Sequence, residues 1–308
     1  MQIYHHTPQL TINNPQIATI GMYDGVHLAH KEILSLIAKE AKLKGCESML
    51  ITFDPHPRKI LNKNAGFSLL TTLNEKIELV SACGIDNFVI IPFDFHFSEI
   101  SASDFVDKIL NKQLNVKHLI IGYDHHFGKN REGNLTFLMT NQEKFGITVE
   151  EIDKQKINER VINSTDIRNA LNKGEIEVAN QLLGRNYQLV GIVIKGKQLG
   201  RTIGFPTANI QLPDNEKLIP QPGVYAVKVK INDSTYKGMM NIGFKPTFGE
   251  HVLSIEVHIF DFNSDIYNKD IIIYFVKKLR NEIKFENIGA LKDQLAIDKT
   301  DAMLVMNA

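Results

Sequence analysis

The sequence predicts an α/β protein in two parts: a parallel sheet covered by helices, then a small antiparallel barrel with a terminal helix. Three observations predict it. Short apolar runs alternate with amphipathic stretches up to about residue 185, and the hydrophobic period drops from helical to two after Gly184. The chain also has 308 residues, more than one core ordinarily supports. The change of period places the boundary near residues 183–187, which gives domains of 1–183 and 184–308.

In the first part, IATI (17–20), SMLITF (48–53), NFVIIPF (87–93), HLIIG (118–122) and ITVEEI (147–152) have the length and composition of buried strands. Between them Ile33, Leu34, Ile37 and Ala41 share one helical face. Leu73, Ile77, Val80 and Cys83 share another, which stops at Gly84. Phe105, Val106, Ile109 and Leu110 follow Ser101 and Ser103, either of which can cap a helix. Strands that are apolar on both faces and alternate with helices make a parallel sheet covered on both sides. Ligands of such sheets bind beyond the carboxyl ends of the strands, and IATIGMYDG is such an end. A helical pair closes this part: Ser164 caps TDIRNALNKG, EIEVANQLLG follows, and each stops at a glycine, 174 and 184.

In the second part YQLVGIVIKG, GVYAVKVKI, TYKGMMNIG, SIEVHIF and IIIYFV alternate like strands. Turn chemistry such as NDS (232–234) and DFNSD (261–265) separates them. Several strands at short spacing point to a small barrel. NIGALKDQLAIDK then reads as a final amphipathic helix.

Composition narrows the function classes. Lys+Arg and Asp+Glu both number 35, so the formal net charge is zero, which speaks against nucleic acid as a partner. The two cysteines, Cys46 and Cys83, suit a reducing cytosol and read as packing residues. No apolar run nears the ~20 residues of a membrane span, and MQIYHHTPQL lacks the basic and apolar regions of a secretory signal. The expectation is a cytoplasmic protein with no membrane partner. The sequence carries no signal for oligomeric state.

The first candidate site is GMYDGVHLAH (21–30). Gly21 and Gly25 permit turns and close approach of backbone to a ligand. A helix begun near Leu28 presents N–H groups and a positive dipole end to an anion such as phosphate. His27 and His30 lie there, one turn apart, where imidazoles can donate to a phosphate whose charge grows under attack. Capping, solvation and a zinc site compete with that reading, although no nearby Cys or HExxH pattern completes the zinc site.

GMYDGVHLAH resembles the G-x-F-D-G-x-H-x-G-H signature of the nucleotidyltransferase superfamily, in the form used by bacterial FAD synthetases. TFDPHP (52–57), LTTLNEKIELV (70–80), IPFDFHFSEISASDFV (91–106) and GYDHHFGKNREG (122–133) follow in that family's order. NSTDIRNAL (163–171) is similar to its S-S-T-x-I-R element. Ala29 stands in place of the glycine between the histidines, Asn163 in place of the first serine, and Met22 where a polar residue is common. The resemblance implies a Rossmann-like nucleotidyltransferase domain that binds ATP at Gly21, Asp24 and Gly25. It implies that His27 and His30 bind the phosphates and stabilise the transition state at the α-phosphorus. Ser164 and Thr165 would hold the β- and γ-phosphates, with Arg168 adding charge. Asp124 would lie near the flavin phosphate or its metal, and His56 would shape the FMN pocket. The plainer alternatives are a capped helix with a surface arginine, a turn-forming Asp and a rigid Pro-flanked turn.

The second candidate site is GKQLGRTIGFPTANI (196–210), whose glycines and Phe205–Pro206 fit a hinged flap leading into a strand. Strand alternation points Thr207 and Asn209 to the same side. Their oxygens, with water and nucleotide phosphates, suit Mg²⁺. A plain hairpin with polar outward residues is the alternative. GRTIGFPTANI resembles the G-R-x-x-G-F-P-T-A-N signature of riboflavin kinases. PGVYAV (222–227), NIGFKPTFG (241–249), IEVHIFDFNSDIYNK (255–269) and LRNEIKF (279–285) follow in that family's order. The resemblance implies that Thr207 and Asn209 contact Mg²⁺ and ATP, that Gly200 and Arg201 line the flap over the nucleotide, and that Glu256 is the catalytic base. Arg280 and Glu282 would border the flavin, and surface charges at a strand end are the equal alternative. Ser254, Glu256 and His258 share one face of their strand and Ile255, Val257 and Ile259 the other.

The two resemblances together cover nearly the whole chain and imply a bifunctional riboflavin kinase/FMN adenylyltransferase. Riboflavin, FMN and ATP are its expected substrates, with FMN and FAD as products and Mg²⁺ as cofactor. A cytidylyltransferase-like or pantetheine-phosphate adenylyltransferase-like first domain is a rival. A flavin-binding regulator whose first domain has lost catalysis is another.

Overall fold

Strands buried on both faces need helices above and below, and the first part of the chain is built that way. A computed structural model describes residues 1–61, 67–122, 125–152, 156–157, 160–196, 198–247 and 250–307. They form two compact units, Met1–Asn163 and Ser164–Ala308.

In the first unit β1 (Gln2–His5), β2 (Gln16–Ile20), β3 (Glu47–Asp54), β4 (Asn87–Pro92), β5 (Val116–Gly122) and β6 (Thr148–Ile152) form one sheet in the order β1-β4-β3-β2-β5-β6. Every pairing in it is parallel. The five expected strands are present. β1 is an addition, a four-residue edge strand that is mostly exposed and so shows no apolar pattern. The chain steps from β2 to β3 to β4 in one direction, then returns to place β5 on the other side of β2. That reversal makes a crevice at the carboxyl ends of β2 and β5, where open parallel sheets bind ligands.

Alternate strand residues serve opposite cores. Ile17, Leu50, Phe88 and Ile90 pack with Leu34, Ile37 and Ala41 of α1 (Leu28–Lys44). After α2 (Pro57–Leu61) comes α3 (Leu73–Ser81), which brings Leu73, Ile77 and Val80 to the same core. Ala18, Ile20, Met49, Ile51, Val89 and Ile91 face the other core. Phe105, Val106, Ile109 and Leu110 cover it from a π-helical segment, Phe105–Gln113, together with Leu138 and Phe145. That segment follows α4 (Phe95–Ser98) and α5 (Ala102–Asp104), and Ser101 is the serine that caps, accepting from Asp104 N at 3.1 Å. Leu138 lies on α6 (Leu135–Thr140) and Phe145 on α7 (Gln142–Phe145). A two-stranded ribbon, β7 (Lys156–Ile157) and β8 (Arg160–Val161), completes the unit.

The second unit opens with α8 (Ser164–Lys173) and α9 (Ile176–Leu183), so Ser164 is the first residue of its helix. After them β9 (Gln188–Ile194), β10 (Ala208–Gln211), β11 (Gly223–Ile231), β12 (Ser234–Thr247), β13 (Glu250–Ile259) and β14 (Asp270–Arg280) close an antiparallel barrel. Its order is β10-β13-β12-β11-β14-β9, and the β9–β10 pairing shuts it. A helical turn, α10 (Leu199–Thr202), lies between those two strands. The terminal helix α11 (Ile288–Asn307) runs past Lys299, where its sequence pattern had ended. Ala302 and Leu295 of α11 pack on Ala226, Met239 and Phe260 of the barrel.

Candidate functional sites

The first site forms where β2 gives way to α1. Gly21 N donates to Ile51 O at 3.0 Å, tying the loop to β3. Tyr23 and Val26 take left-handed conformations, φ 47° and 38°, so the turn is tighter than its two glycines suggested. Gly25, at φ 87°, needs the freedom that glycine has. Asp24 is buried, and its carboxylate accepts from Leu70 N and Thr71 N, both at 3.0 Å, and from Thr71 Oγ1 at 3.2 Å. Asp24 therefore anchors the loop to the LTT segment ahead of α3.

His27 is buried and forms the N-cap of α1, its Nδ1 accepting from His30 N at 3.4 Å. The two imidazoles stack, 3.6 Å between centroids and 16° between planes. His30 also meets the Tyr23 ring at 4.5 Å. The Nδ1 edge of His30 is shut off from water and has no hydrogen-bond partner among the described residues. Burial, then His27, then Lys76 push the His30 pKa well below the usual histidine range. A neutral imidazole carries one N–H donor and one acceptor, so His30 can donate a hydrogen bond without carrying charge.

The remaining residues expected at this site lie as follows. His56 is buried, with Nδ1 accepting from Arg58 N at 3.1 Å and its ring 4.3 Å from that of Phe67. Asp124 lies outside the described residues. Ser164 and Arg168 are half-buried on α8 and Thr165 is exposed, all within the second unit.

The sequence reading missed Lys76. It falls between Leu73 and Val80 on the apolar stripe of α3, is only 5% exposed, and reaches Thr52 Oγ1 at 3.5 Å. Burial lowers its pKa, against the opposing pull of Asp24 and Asp54. A lysine inside an apolar stripe was the available signal.

The second site is a cavity of about 390 Å³ whose lining includes Gly200, Thr207, Asn241, Glu256, Arg280 and Glu282. Glu256 is half-buried on β13, opposite Asn209 of β10 and Asn241 of β12 in the ladder. Its Oε2 accepts from Thr207 Oγ1 at 3.1 Å and its Oε1 from Ser254 Oγ at 3.1 Å. Both carboxylate oxygens are therefore held in place. Phe205 N donates to Gly200 O at 2.8 Å, and a β-carbon at Gly200 would run into Phe205 O, so glycine is required there. The Asn209 amide packs directly against Gly196, so a side chain there would displace that amide. Arg201 is exposed on the flap.

Arg280 lines the cavity but is not free within it. Its Nε and Nη2 donate to Asp298 of α11 at 2.8 and 2.7 Å. Glu282 is exposed and its carboxylate lies over Gly243, where any side chain would collide with it. His258 was not expected as a site residue. It is buried, its Nδ1 meets Pro206 O at 2.7 Å, and Phe205 and Phe260 pack edge-on to its ring. A carbonyl only accepts, so Nδ1 carries the hydrogen and holds the root of the flap. Strand alternation had put His258 on the same face as Glu256, which was the signal.

Among the described residues no group of three or more His, Cys, Asp or Glu side chains could hold a metal ion. Thr207 and Asn209 nevertheless fit Mg²⁺, which usually keeps its waters and is held by a few oxygens plus substrate phosphates.

Two family models match the chain. The FAD synthetase model matches residues 9–166 and the riboflavin kinase model residues 183–306. The chain is 41% identical over 307 residues to the bifunctional riboflavin kinase/FMN adenylyltransferase of Listeria monocytogenes, covering 97% of this chain and 96% of the relative. It is 34% identical to the protein of the same name from Escherichia coli K12, over 93% of this chain and 91% of the relative. A solved structure titled a macrolide-efflux protein from Streptococcus pneumoniae superposes with a TM-score of 0.90 at 28% identity, over 98% of each chain. No helix among the described residues is long and apolar enough to cross a membrane.

Proposed function

We propose the following division of labour for this chain, which belongs to the bifunctional riboflavin kinase/FMN adenylyltransferase family. The chain phosphorylates riboflavin with ATP in its C-terminal part and joins FMN to AMP in its N-terminal part, giving FAD and pyrophosphate. In the kinase step Glu256 accepts the proton of the riboflavin 5′-hydroxyl as that oxygen attacks the γ-phosphorus of ATP. The observation that carries this role is the carboxylate fixed between Thr207 and Ser254 at the edge of the cavity. Thr207 and Asn209 would hold Mg²⁺, which when bound neutralises the phosphate charge. Gly200 and Arg201 cover the nucleotide, while Arg280 and Glu282 border the flavin.

In the adenylyl step a phosphate oxygen of FMN attacks the α-phosphorus of ATP and pyrophosphate leaves. His27 and His30 donate to the oxygens on which charge develops, and their stacking fixes their orientation in advance. Asp24 positions that loop through Leu70 and Thr71. Gly21 and Gly25 let the backbone approach ATP, and Ser164, Thr165 and Arg168 keep the phosphate role that their motif gives them. His56 and Asp124 keep theirs toward the flavin on the same ground. We assign the adenylyl step to residues 1–183 and the kinase step to 184–308, in the cytoplasm.

Product analysis tests the assignment. Glu256→Gln keeps the shape and removes the base, so riboflavin is not phosphorylated while supplied FMN still becomes FAD. His27→Ala with His30→Ala accumulates FMN, because losing one such donor costs ~10²–10³ in rate. Loss of both steps in a folded Glu256→Gln protein would refute one reaction per part.

A further inference from the structure

We propose that Lys76 is a further substrate-binding residue of the adenylyl-transfer site, its ammonium pairing with a phosphate oxygen of FMN or ATP. The inference rests on placing that site around His27 and His30. It begins from a mismatch between a side chain and its surroundings. Lys76 occupies the apolar stripe of α3 and is only 5% exposed. An ammonium carries three N–H donors, and a buried charge is tolerated only where it is paired and hydrogen-bonded. Among the described residues Lys76 has one acceptor, Thr52 Oγ1, at the far limit of bonding distance, 3.5 Å. The two carboxylates whose charge acts on it, Asp24 and Asp54, do not supply the missing bonds. Asp24 spends its oxygens on Leu70 and Thr71, and Asp54 is exposed.

The position of the ammonium shows what would complete it. Thr52 lies in the carboxyl-terminal half of β3 and passes its own hydrogen to Met22 O at 3.5 Å, inside the histidine loop. Lys76 therefore reaches the ligand end of the sheet, beside the point where strand order reverses. The charge of Lys76 is felt at His30, whose Nδ1 is also shut off from water and without a partner. Two unrelated side chains thus leave polar groups unmet in one neighbourhood. A phosphate oxygen is an acceptor of the right charge for the ammonium. It also gives the imidazole a group to which it can donate. FMN and ATP both carry that chemistry, and the experiment separates them.

The test uses the full chain, with Lys76→Met, Lys76→Arg and His30→Ala assayed for FMN to FAD and, as an internal control, for riboflavin to FMN. Lys76→Met is expected to lower kcat/KM of adenylylation roughly 10- to 100-fold, the scale of a lost charged hydrogen bond, and to leave the kinase step unchanged. Lys76→Arg recovers part of that loss. A raised KM for FMN assigns the contact to the flavin phosphate, and a raised KM for ATP assigns it to the nucleotide. Unchanged constants in Lys76→Met, or a fall confined to kcat, would overturn the proposal. His30→Ala keeps the two readings apart: if it alone is impaired, Lys76 is excluded, whereas wild-type rates in both reject the site itself. Should Lys76→Met not fold, ¹⁵Nζ spectra of the wild-type protein decide, with the Lys76 signal assigned by its absence from Lys76→Arg. A shift on adding FMN or a non-hydrolysable ATP analogue supports the contact, and an unmoved signal refutes it.

Discussion

His30 makes the first unit sensitive to acid. Its folded pKa lies well below the 6.5 of an unperturbed histidine, chiefly through burial and then through His27 and Lys76. Below pH 6.5 the unfolded chain takes up a proton that the folded chain refuses, so stability falls as pH falls. One such group contributes a slope of up to about 1.4 kcal/mol per pH unit. The pKa of His258 is also lowered, mainly by burial, and adds a slope of the same sign in the second unit. Thermal unfolding of the full chain between pH 7.5 and 5 should show the midpoint dropping with acid, and His30→Gln should flatten that dependence. A dependence of equal slope in the variant would show that His30 is not the group responsible. At this scale the sequence singled out residues whose chemistry is unusual in a motif, such as His27, His30, Thr207 and Glu256. It hid those whose meaning depends on burial. Asp24 looked like a ligand residue and is also a loop anchor, while Lys76 and His258 looked like ordinary members of a helix and a strand.

Among the elements, α11 is held by more than its apolar contacts with the barrel. Ile288, Ile297 and Leu304 are 68%, 53% and 64% exposed, while Asp298 in its middle is 1% exposed. Asp298 receives Arg280 through two bonds and Gln294 Nε2 at 3.0 Å, so a buried ion pair pins the helix to the end of β14. Removing one member of a buried pair leaves a stranded charge and costs about 3–5 kcal/mol. Asp298→Ala should therefore lower the stability of the second unit by that order and raise the KM for riboflavin, since Arg280 lines the cavity. Supplied FMN should still be adenylylated. Replacing both partners, Arg280→Met with Asp298→Leu, should recover much of the stability but not the KM. Equal melting points in Asp298→Ala and the wild type would show that the pair does not hold the helix. The apolar period had revealed that a terminal helix exists, because helical spacing survives in IGALKDQLAI. It could not reveal that a carboxylate, Asp298, is buried beside the apolar residues that face the barrel. For β1 the signal was absent altogether, since a short exposed edge strand needs no apolar residues.

For the molecule as a whole, the place where the hydrophobic period changes and the place where packing changes are twenty residues apart. The period turns at Gly184, yet the compact units part at Asn163 and Ser164. The cause lies in what α8 and α9 bury. Asn180 Nδ2 donates to Phe275 O at 2.9 Å, and its Oδ1 accepts from Tyr187 N at 2.7 Å. Gln221 N donates to Leu171 O at 3.0 Å, and Glu177 pairs with Lys277 at 3.1 Å. A helical period shows that a helix has an apolar face but not which neighbour receives it, so this association was illegible in the sequence. Two cuts separate folding from function. A 164–308 fragment should melt higher than 184–308, because the shorter one loses the contacts of α8 and α9 with the barrel, including the bonds of Asn180 to Phe275 O and Tyr187 N. Both should phosphorylate riboflavin below their melting points, since Thr207, Glu256 and the cavity lie after the cut. On the other side, a 1–183 fragment should make FAD from FMN and a 1–163 fragment should not, because the shorter one lacks Ser164, Thr165 and Arg168. Adenylylation by 1–163 at the rate of 1–183 would remove those three residues from the ATP site and move the functional boundary to the packing boundary.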